Sequence, residues 1–508
     1  MKRSDPAVGS ALLTLGVIVA AGVLLSLVTI VPSGSGSGQG GAQIAAAGDA
    51  GGPGAQDAGT GPATNGATSQ AAGSGATQAA AGAAAGGQAS GIAKSTPVSL
   101  SCAAGSNGGN TDVGVSASSI KLAATVVADG PGSSFLGPVR TGITTVLDKI
   151  NNSGGVCGRR LDLTLRNDSW DAARGKQYIQ NFVEGDKVFA LAVVPSSEGL
   201  READAYIQQQ KVPVVGTDGM LIHQYKNPWI WPVATSTIST MHAMAKNAAD
   251  RGSKRFGIVF DAQYHFGVEG AFAFNQAVKR LTGDNIPGFD SQLKSCTGRF
   301  CGIQPGKPSY SGDAKQFNDA CFSGAGTCDF IAYLLEPDTA LSFLREGRPA
   351  NPQIGFAGAQ PLFTRPFAEN CQRPCDGMWV WTGYNPPLES LASDPDVARY
   401  VNEVHQESAS ADTTNQFLEG GYIGMSLMVQ ALQKVGPALT RQNLKNVLDS
   451  MTFSSGLTSP LAWRPGNHFA NVSAQAFEIQ YKQSFNGWRK ATSFIADPWV
   501  GEDIPSGE

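Results

Sequence analysis

The sequence predicts an α/β fold with two lobes, each built on a mainly parallel β-sheet, and three observations support it. From about residue 105 onward, aromatic, aliphatic and charged residues mix in globular proportions, which leaves roughly 400 residues for a folded body. Within this body, short apolar runs alternate with amphipathic stretches, as expected for strands joined by helical crossovers. The alternation begins again near residue 255, which indicates two α/β units in series.

The first unit opens with an apolar run at residues 120–127 that predicts a strand. One helical stripe of apolar residues follows at 139–150, and the Gly154-Gly155 pair after it favours a helix end. The continuous apolar run at 188–194 is typical of a strand covered on both faces. The remaining elements of this unit are a strand at 161–165, a helix at 198–210 and a strand at 212–215.

The second unit repeats this order. Its predicted elements are strands at 255–260, 330–335 and 354–357 and helices at 267–281 and 339–345, followed by a largely helical segment at 394–450 and a strand at 477–481. We therefore expect the chain to pass between the lobes more than once. The expected parts are 96–234 for the first lobe, 235–362 for the second, 363–455 for a return to the first, and 456–508 for the C-terminal part of the second lobe and the tail.

The N-terminal part of the chain predicts a membrane anchor followed by a linker. Residues 1–32 contain Lys2 and Arg3 and then an uncharged, apolar stretch long enough to cross a bilayer core of about 30 Å. A cleaved signal peptide is the alternative, although this run is longer than the usual apolar region of about 7 to 15 residues. Residues 33–95 are mostly Gly, Ala, Ser, Gln and Thr, which predicts a disordered linker. Both alternatives put the body outside the cytoplasm, anchored in the first case and secreted in the second.

The charge distribution argues against nucleic acid as a partner. The chain has 37 basic and 41 acidic residues, a formal net charge of -4, and no run rich in lysine and arginine. Binding to a phosphate backbone requires a basic surface, which this composition does not provide.

All eight cysteines follow the linker, and their even number indicates disulfides formed in an oxidising compartment. Close spacings suit three local pairs, Cys296 with Cys301, Cys321 with Cys328 and Cys371 with Cys375, and leave Cys102 and Cys157 to pair over a longer loop. Zinc is the alternative. The spacings are wider than C-x-x-C and the five histidines are scattered, so we expect no metal site.

The turns after the predicted strands are the candidate binding site, because ligands of open α/β sheets bind at the carboxyl ends of the strands. Ser196 and Ser197 follow one apolar strand of the first unit, and Thr217 and Asp218 follow the next. Their hydroxyl groups and backbone amides suit a solute carboxylate. The alternative for each residue is a helix N-cap, for which serine, threonine and aspartate are the usual residues.

The order of these pieces resembles the branched-chain amino-acid-binding family, the substrate-binding components of ABC transporters. The resemblance rests on the turn INNSGGVCG at 150–158, the strand that ends in Asn167-Asp168, and the turn YHFG at 264–267, and it covers about residues 113–481. It implies the type 1 periplasmic-binding fold, in which two Rossmann-like lobes joined by three hinge strands close over a small solute.

The resemblance also implies which residues form the site. Carried over position by position, they are Ser196, Ser197, Thr217 and Asp218 for the solute carboxylate, Thr235 and Ser236 at a hinge crossing near 233–236, Tyr264, Phe266 and Glu336 in the second lobe, and Phe135 as a further wall of the cleft.

One position departs from the family's pattern. Amino-acid-binding members pair the solute ammonium with an acidic residue after a strand that corresponds to 354–357, and this chain has Gln360 in that turn. An amide forms hydrogen bonds but does not neutralise a buried cation. Either Glu336 substitutes and the solute is an amino acid, or the solute lacks an ammonium group and is a carboxylate, an aromatic acid or another small polar solute. The aromatic strand at 378–381 is expected in the core.

Two alternatives to a transport-associated binding protein were weighed. An enzyme is disfavoured because the sequence has no G-x-S-x-G nucleophile turn, no H-E-x-x-H, no phosphate loop and no G-x-G-x-x-G at a strand–helix junction. A membrane-tethered sensor with the same fold, acting on another membrane protein, remains open. The resemblance favours delivery of a small solute to ABC transporter permease subunits, without catalysis or a cofactor.

Overall fold

The structure is a computed structural model that describes residues 107–290, 296–323, 327–347, 354–388 and 391–502. The predicted anchor at 1–32, the predicted linker at 33–95 and Cys102 lie outside these residues. Within the described ranges, we find no helix with both the length and the apolar character that crossing a membrane requires.

The first lobe is built on a five-stranded sheet. Its strands are β1 (Ser119–Val126), β2 (Arg160–Asn167), β3 (Ala190–Ala192), β4 (Val214–Thr217) and β5 (Ile230–Pro232). They are parallel and lie in the order β2-β1-β3-β4-β5. The helices of this part are α1 (Ser133–Leu136), α2 (Val139–Asn152), α3 (Ala172–Glu184), α4 (Ser197–Glu202), α5 (Asp204–Gln210) and α6 (His223–Lys226).

The second lobe repeats the α/β pattern around a second sheet. Its strands are β6 (Phe256–Asp261), β7 (Cys296–Thr297), β8 (Phe300–Ile303), β9 (Phe330–Leu334), β10 (Gly355–Gly358) and β11 (Trp379–Thr382). Its helices are α7 (Thr237–Asp250), α8 (His265–Thr282), α9 (Ser311–Phe322), α10 (Pro337–Gly347) and α11 (Arg365–Cys371). Strands β8, β6, β9, β10 and β11 form its parallel core.

The chain then returns to the first lobe through three helices. They are α12 (Pro395–Glu407), α13 (Gln416–Val435) and α14 (Arg441–Leu448), followed by the short pair β12 (Thr452–Phe453) and β13 (Leu461–Ala462). Helix α13 packs against α2 and against β4. Most of its residues are buried, so this helix is an internal part of the first lobe.

The C-terminal strands complete the second sheet. They are β14 (Ser473–Tyr481), β15 (Phe485–Lys490) and β16 (Ile495–Ala496), and β14 pairs antiparallel with β11. The described sheet runs in the order β15-β14-β11-β10-β9-β6-β8-β7, with β16 on β14. A mixed sheet of this kind is common where late strands add to a parallel core.

Three crossings join the lobes, between β5 and α7, between β11 and α12, and between β13 and β14. They meet at one point. Asn471 Nδ2 donates to the carbonyl oxygens of Val233 (3.4 Å) and Gly383 (3.3 Å). Thr235 forms an isolated parallel bridge with Asn471. A hinge of three adjacent segments therefore connects two sheets that are otherwise separate.

The second crossing lies later in the chain than the sequence analysis placed it. Strand β11 pairs in parallel with β10 and belongs to the second sheet. The return to the first lobe therefore begins after Thr382 and not at residue 363. The periodicity of a short helix and a short strand does not indicate which of two sheets they join, so no local pattern marks this boundary.

Most predicted elements are present with small shifts at their ends. The predicted helix at 198–210 is two helices that meet at Ala203. The aromatic strand at 378–381 is mainly core, as expected, since Met378, Val380 and Trp381 are buried. The elements that were not predicted are strands β5, β7, β8, β12, β13, β15 and β16 and helices α1, α3, α6, α7, α9 and α11.

The three local disulfides are confirmed as Cys296–Cys301, Cys321–Cys328 and Cys371–Cys375. The first links opposite residues of the antiparallel pair β7 and β8. Cys157 is also disulfide-bonded, and Cys102, the partner expected for it, lies outside the described residues.

We expect Gly142→Ala to destabilise the protein, because a Cβ on Gly142 of α2 would collide with the Leu418 carbonyl oxygen and the Tyr422 nitrogen of α13. Overpacking of this kind typically costs about 1 to 3 kcal/mol. Chemical denaturation measures the loss. The matched control is Gly312→Ala in α9, where the added Cβ meets no atom within 4 Å and the better helix propensity is expected to be neutral or stabilising. Equal stability of the two variants would contradict the close contact of α2 with α13.

Candidate functional site

A cavity lies beside the hinge, between the two lobes. The first lobe contributes loop and helix residues, the hinge contributes Ala234 and Tyr384, and the second lobe contributes Gln360. The first-lobe lining residues are Val139, Val193, Pro195, Gly216, Asp218, Gln416, Phe417, Gly420 and Gly421. The centre of a water molecule has about 20 Å³ of this cavity in which to move, which is room for about one water molecule. A larger solute therefore requires the walls to move apart.

Asp218 is the acidic residue of the cavity. Its Oδ1 accepts hydrogen bonds from Gln224 Nε2 (2.9 Å) and from the Met220 backbone amide (3.2 Å). Its Oδ2 is buried and has no hydrogen-bond partner. Burial raises the pKa of this carboxyl to about 7. The hydrogen bond from Gln224 acts in the opposite direction and lowers the pKa. Asp218 therefore faces the cavity with an unused acceptor.

The N-terminal turn of α13 supplies further polar groups. Gln416 lines the cavity, and its Oε1 is buried without a partner. Glu419, one turn later, is fully buried, and neither of its carboxyl oxygens has a hydrogen-bond partner. Burial raises the pKa of Glu419 well above its ordinary value. Burial, followed by the charges of Glu419 and Asp218, likewise raises the pKa of Tyr384. These groups therefore form one buried acidic region beside the hinge.

Gln360 lies in the turn where the family resemblance leads one to expect an acid. Its Nε2 donates to the Thr235 carbonyl oxygen (2.8 Å) and, more weakly, to Thr240 Oγ1 (3.4 Å). The side chain thus ties the second lobe to the hinge. It also forms part of the cavity wall.

The lobes touch directly across the cleft through aromatic rings. Trp170, in the turn after β2, stacks on Tyr264 of the second lobe with ring centroids 4.1 Å apart. Phe266 lies 6.0 Å from the Trp170 ring. Trp170 has a φ of 61°, which is uncommon for a bulky residue, and a strained backbone of this kind persists where the surrounding packing fixes it. The stack is therefore a specific contact of the closed form.

Charged groups also join the lobes. Glu198 of α4 accepts hydrogen bonds from the His265 backbone amide (2.8 Å), and its other oxygen lies 2.6 Å from His265 Nδ1. Glu269 of α8 accepts a hydrogen bond from the Ile222 backbone amide (2.8 Å). Burial raises the pKa of Glu269 to about 7. The cleft is thus closed by two acidic residues, one from each lobe.

Most of the predicted hydroxyl groups are already engaged. Thr217 Oγ1 donates to Gln224 Oε1, Thr235 Oγ1 donates to the Ser473 carbonyl oxygen, Ser236 Oγ caps α7 by accepting from the Ser239 amide, and Ser197 Oγ accepts from Trp170 Nε1 (3.4 Å). Ser196 precedes α4 but makes no side-chain N-cap bond, so the N-cap alternative does not account for this residue. Ser196 Oγ is buried and has no partner, but Ser196 does not line the cavity described above.

The other predicted site residues lie near the cleft but away from this cavity. Phe135 is buried behind Phe417, with ring centroids 5.1 Å apart. Glu336 caps α10, since its carboxylate oxygens accept from the Thr339 amide (2.6 Å) and the Asp338 amide (2.9 Å). Tyr264 and Glu336 line a separate and more open groove of about 340 Å³. Of the predicted residues, the structure brings together Asp218 and Gln360 at the hinge cavity.

Several residues of this region were missed by the sequence analysis. Trp170 and Tyr384 lie in turns, and Gln416 opens a helix that is remote in sequence from the other lining residues. Two signals were present for α13: an acid within an apolar helix, Glu419, and the adjacent Gly420-Gly421 pair, where small residues permit a close approach. Neither signal identifies the element against which the helix packs.

The described residues contain no group of three or more histidine, cysteine or acidic side chains placed to hold a metal ion. The polar side chains that line the cavity are one carboxyl group, two amides and a phenol, in otherwise apolar surroundings. This arrangement can bind a small polar group and shield it from water.

We expect the protein to lose stability as the pH rises from about 4 to about 7. The pKa values of Asp218, Asp261 and Glu269 are each raised to about 7 by burial, while carboxyls of the unfolded chain titrate near 4. In this window the folded protein retains protons that the unfolded chain releases, so the free energy of unfolding falls as pH rises. Melting temperatures at pH 5 and pH 7.5 test this.

Asp218→Asn is expected to remove part of that pH dependence, because the amide does not ionise. Three titratable groups act on Asp218 or are acted on by it. The charge of Glu198 raises the pKa of Asp218 further, and the charge of Asp218 raises the pKa of the phenols of Tyr225 and Tyr384. The control is Asp162→Asn, an exposed carboxyl of the same lobe. An unchanged slope in Asp218→Asn would show that this carboxyl is not buried in the way described.

Comparison with known proteins agrees with this architecture. The sequence profile described as "Periplasmic binding protein" matches residues 119–484. Among curated protein sequences, none matches this chain.

Solved structures share the fold at low sequence identity. The fatty acid ABC transporter substrate-binding protein from Thermomonospora curvata is 17% identical with a TM-score of 0.63, over 80% of this chain and 100% of that chain. A branched chain amino acid ABC transporter protein from Thermus thermophilus, with bound valine, is 14% identical with a TM-score of 0.63, over 74% and 96%. A solute binding protein from R. palustris, in complex with 4-hydroxybenzoate, is 16% identical with a TM-score of 0.62, over 75% and 97%.

The family match spans both sheets and the hinge, and it agrees with the resemblance seen in the sequence. With two α/β lobes, three crossings and a cavity at the hinge, the chain belongs to the periplasmic binding protein family and has its type 1 fold.

Proposed function

We propose that this protein is an extracytoplasmic solute-binding protein that closes its lobes over a small polar solute and delivers it to the permease subunits of an ABC transporter. The observation that carries this proposal is the cavity at the hinge, with Asp218 from one lobe and Gln360 from the other among its walls. Because both lobes contribute to the site, binding of a solute favours the closed arrangement over the open one.

The direct contacts between the lobes support closure as the working motion. The Trp170–Tyr264 stack and the Glu198–His265 pair join parts of the chain that are linked only through the hinge. A two-state closure of this kind gives a partner protein a surface that differs between the empty and the loaded forms. A permease would recognise the loaded form by this difference in surface.

The cysteines and the N-terminal sequence support the location. Three described disulfides fit an oxidising compartment. We propose that residues 1–32 anchor the chain and that residues 33–95 serve as its tether. The proposal includes no catalytic step and no cofactor.

A thermal-shift screen of the full-length protein tests solute binding. A panel of amino acids, amines, carboxylates and aromatic acids should contain a compound that raises the melting temperature, because a solute that binds only the folded state stabilises it by about 2.7 kcal/mol at 100 times its dissociation constant. Isothermal titration then checks the stoichiometry, which we expect to be one solute per chain. A panel without any stabilising compound would contradict the proposed function.

Trp170→Ala should shift the protein toward an open form, because it removes the stack with Tyr264 across the cleft. We expect a larger radius of gyration by small-angle X-ray scattering in the absence of solute, and a weaker affinity for any compound found in the screen. The control is Trp379→Ala, which removes a tryptophan that stacks on Arg251 within the second lobe. Identical scattering of the two variants would argue against the aromatic stack as a closing contact.

A further inference from the structure

We propose that the solute presents a primary ammonium group to the hinge cavity and that Asp218 is its counter-ion. This inference rests on the proposed function and names the class of solute: a small amine rather than a carboxylate. The sequence left two alternatives, Glu336 as the counter-ion or a solute without an ammonium group, and the inference differs from both because the acid comes from the first lobe.

Two residues that line the cavity carry buried acceptor atoms that have no hydrogen-bond donor. Asp218 and Gln416 both line the cavity and are 9% and 2% exposed, and Asp218 Oδ2 and Gln416 Oε1 have no donor. The amide nitrogen of Gln360 is already donating to the hinge. A buried acceptor without a donor destabilises the protein. A solute that brings several N–H donors removes this destabilisation at two positions.

The charges in and near the cavity are negative, which also favours a cationic group. No lysine, arginine or histidine is among its described lining residues. The charge that acts on Asp218 from elsewhere is that of Glu198, which is also acidic. Glu419 on α13, next to the lining residue Gly420, is a further buried carboxyl group. A buried carboxylate solute would add a negative charge here, whereas a cation would pair with one.

Several hydroxyl groups expected at the site already form internal hydrogen bonds, and Ser196, whose Oγ has no partner, does not line the cavity. Thr217 donates to Gln224, Thr235 to the Ser473 carbonyl, and Ser236 caps α7. A carboxylate would have to displace internal bonds of the first lobe and the hinge. An ammonium group needs no such rearrangement, since Asp218 Oδ2 and Gln416 Oε1 are unused.

The dimensions of the closed cavity suit an ammonium head group. Room for about one water molecule is also room for a group of the size of an ammonium ion. The surrounding walls include Val139, Val193 and Phe417, which are apolar and suit an alkyl chain. An alkyl chain would occupy space that opens between these walls when the lobes move apart.

The test compares two matched series of ligands with the full-length protein. The n-alkylamines from methylamine to hexylamine carry only the cation, and the n-alkanoates from acetate to hexanoate carry only the anion. Affinities are measured by isothermal titration at pH 7.5. We expect at least one amine to bind about 10-fold or more tightly than the alkanoate of equal length.

Two variants test the residues. Asp218→Asn should weaken amine binding by about 10- to 100-fold, because it removes a charge-assisted hydrogen bond. The matched control is Asp168→Asn, which alters another buried carboxyl of the first lobe with an unpartnered oxygen that does not line the cavity; it should leave amine binding unchanged. Gln416→Met removes the second acceptor at similar volume and should weaken amine binding less, so the proposal stays testable if Asp218→Asn fails to fold.

The outcomes separate this inference from the proposed function. Alkanoates that bind as tightly as amines, or a screen compound without a positive charge that binds in the cavity, would overturn the ammonium assignment and leave solute binding intact. Equal loss of amine binding in Asp218→Asn and Asp168→Asn would also overturn it. A protein that binds neither series nor any compound of the wider screen would overturn both proposals.

Discussion

The close packing of α13 against α2 and β4 is the constraint on which the first lobe and the cavity both depend. Glycines permit this contact: a Cβ on Gly421 would meet the Val139 carbonyl oxygen, and one on Gly216 would meet the backbone of Gly424. Because backbones approach so closely, the N-terminal turn of α13 reaches the end of β4 and the hinge. The helix that completes the core therefore also delivers Gln416 and Phe417 to the cavity.

This arrangement buries polar groups away from water, and burial changes the pKa of the carboxyl groups among them. Asp218 and Glu419 are carboxyl groups in apolar surroundings, so burial raises the pKa of each. A fold that keeps unpaired acids at a hinge sacrifices stability there. Such sites are common where a protein binds a ligand, because the ligand supplies the missing partner.

The hinge explains how two separate sheets act together. Three chain segments meet at Thr235, Gly383 and Asn471, and Gln360 ties the second lobe to the same point. Contacts farther out, such as the Trp170–Tyr264 stack, hold the lobes closed. In the proposed opening motion, contacts near the hinge would move little, whereas the outer contacts would break. The balance between them sets how readily the cleft opens.

The sequence by itself determined the α/β class, the two-unit order, most strands and helices, and the three local disulfides, because these depend on patterns within short stretches. It also pointed to Asp218 and Gln360, which follow predicted strands directly. The boundary after Thr382 and the contributions of Trp170, Tyr384 and Gln416 were decided only by the tertiary structure. These depend on which sheet a short strand joins and on which helix packs beside it. Such choices are fixed by contacts between residues far apart in the chain, and no local pattern records them.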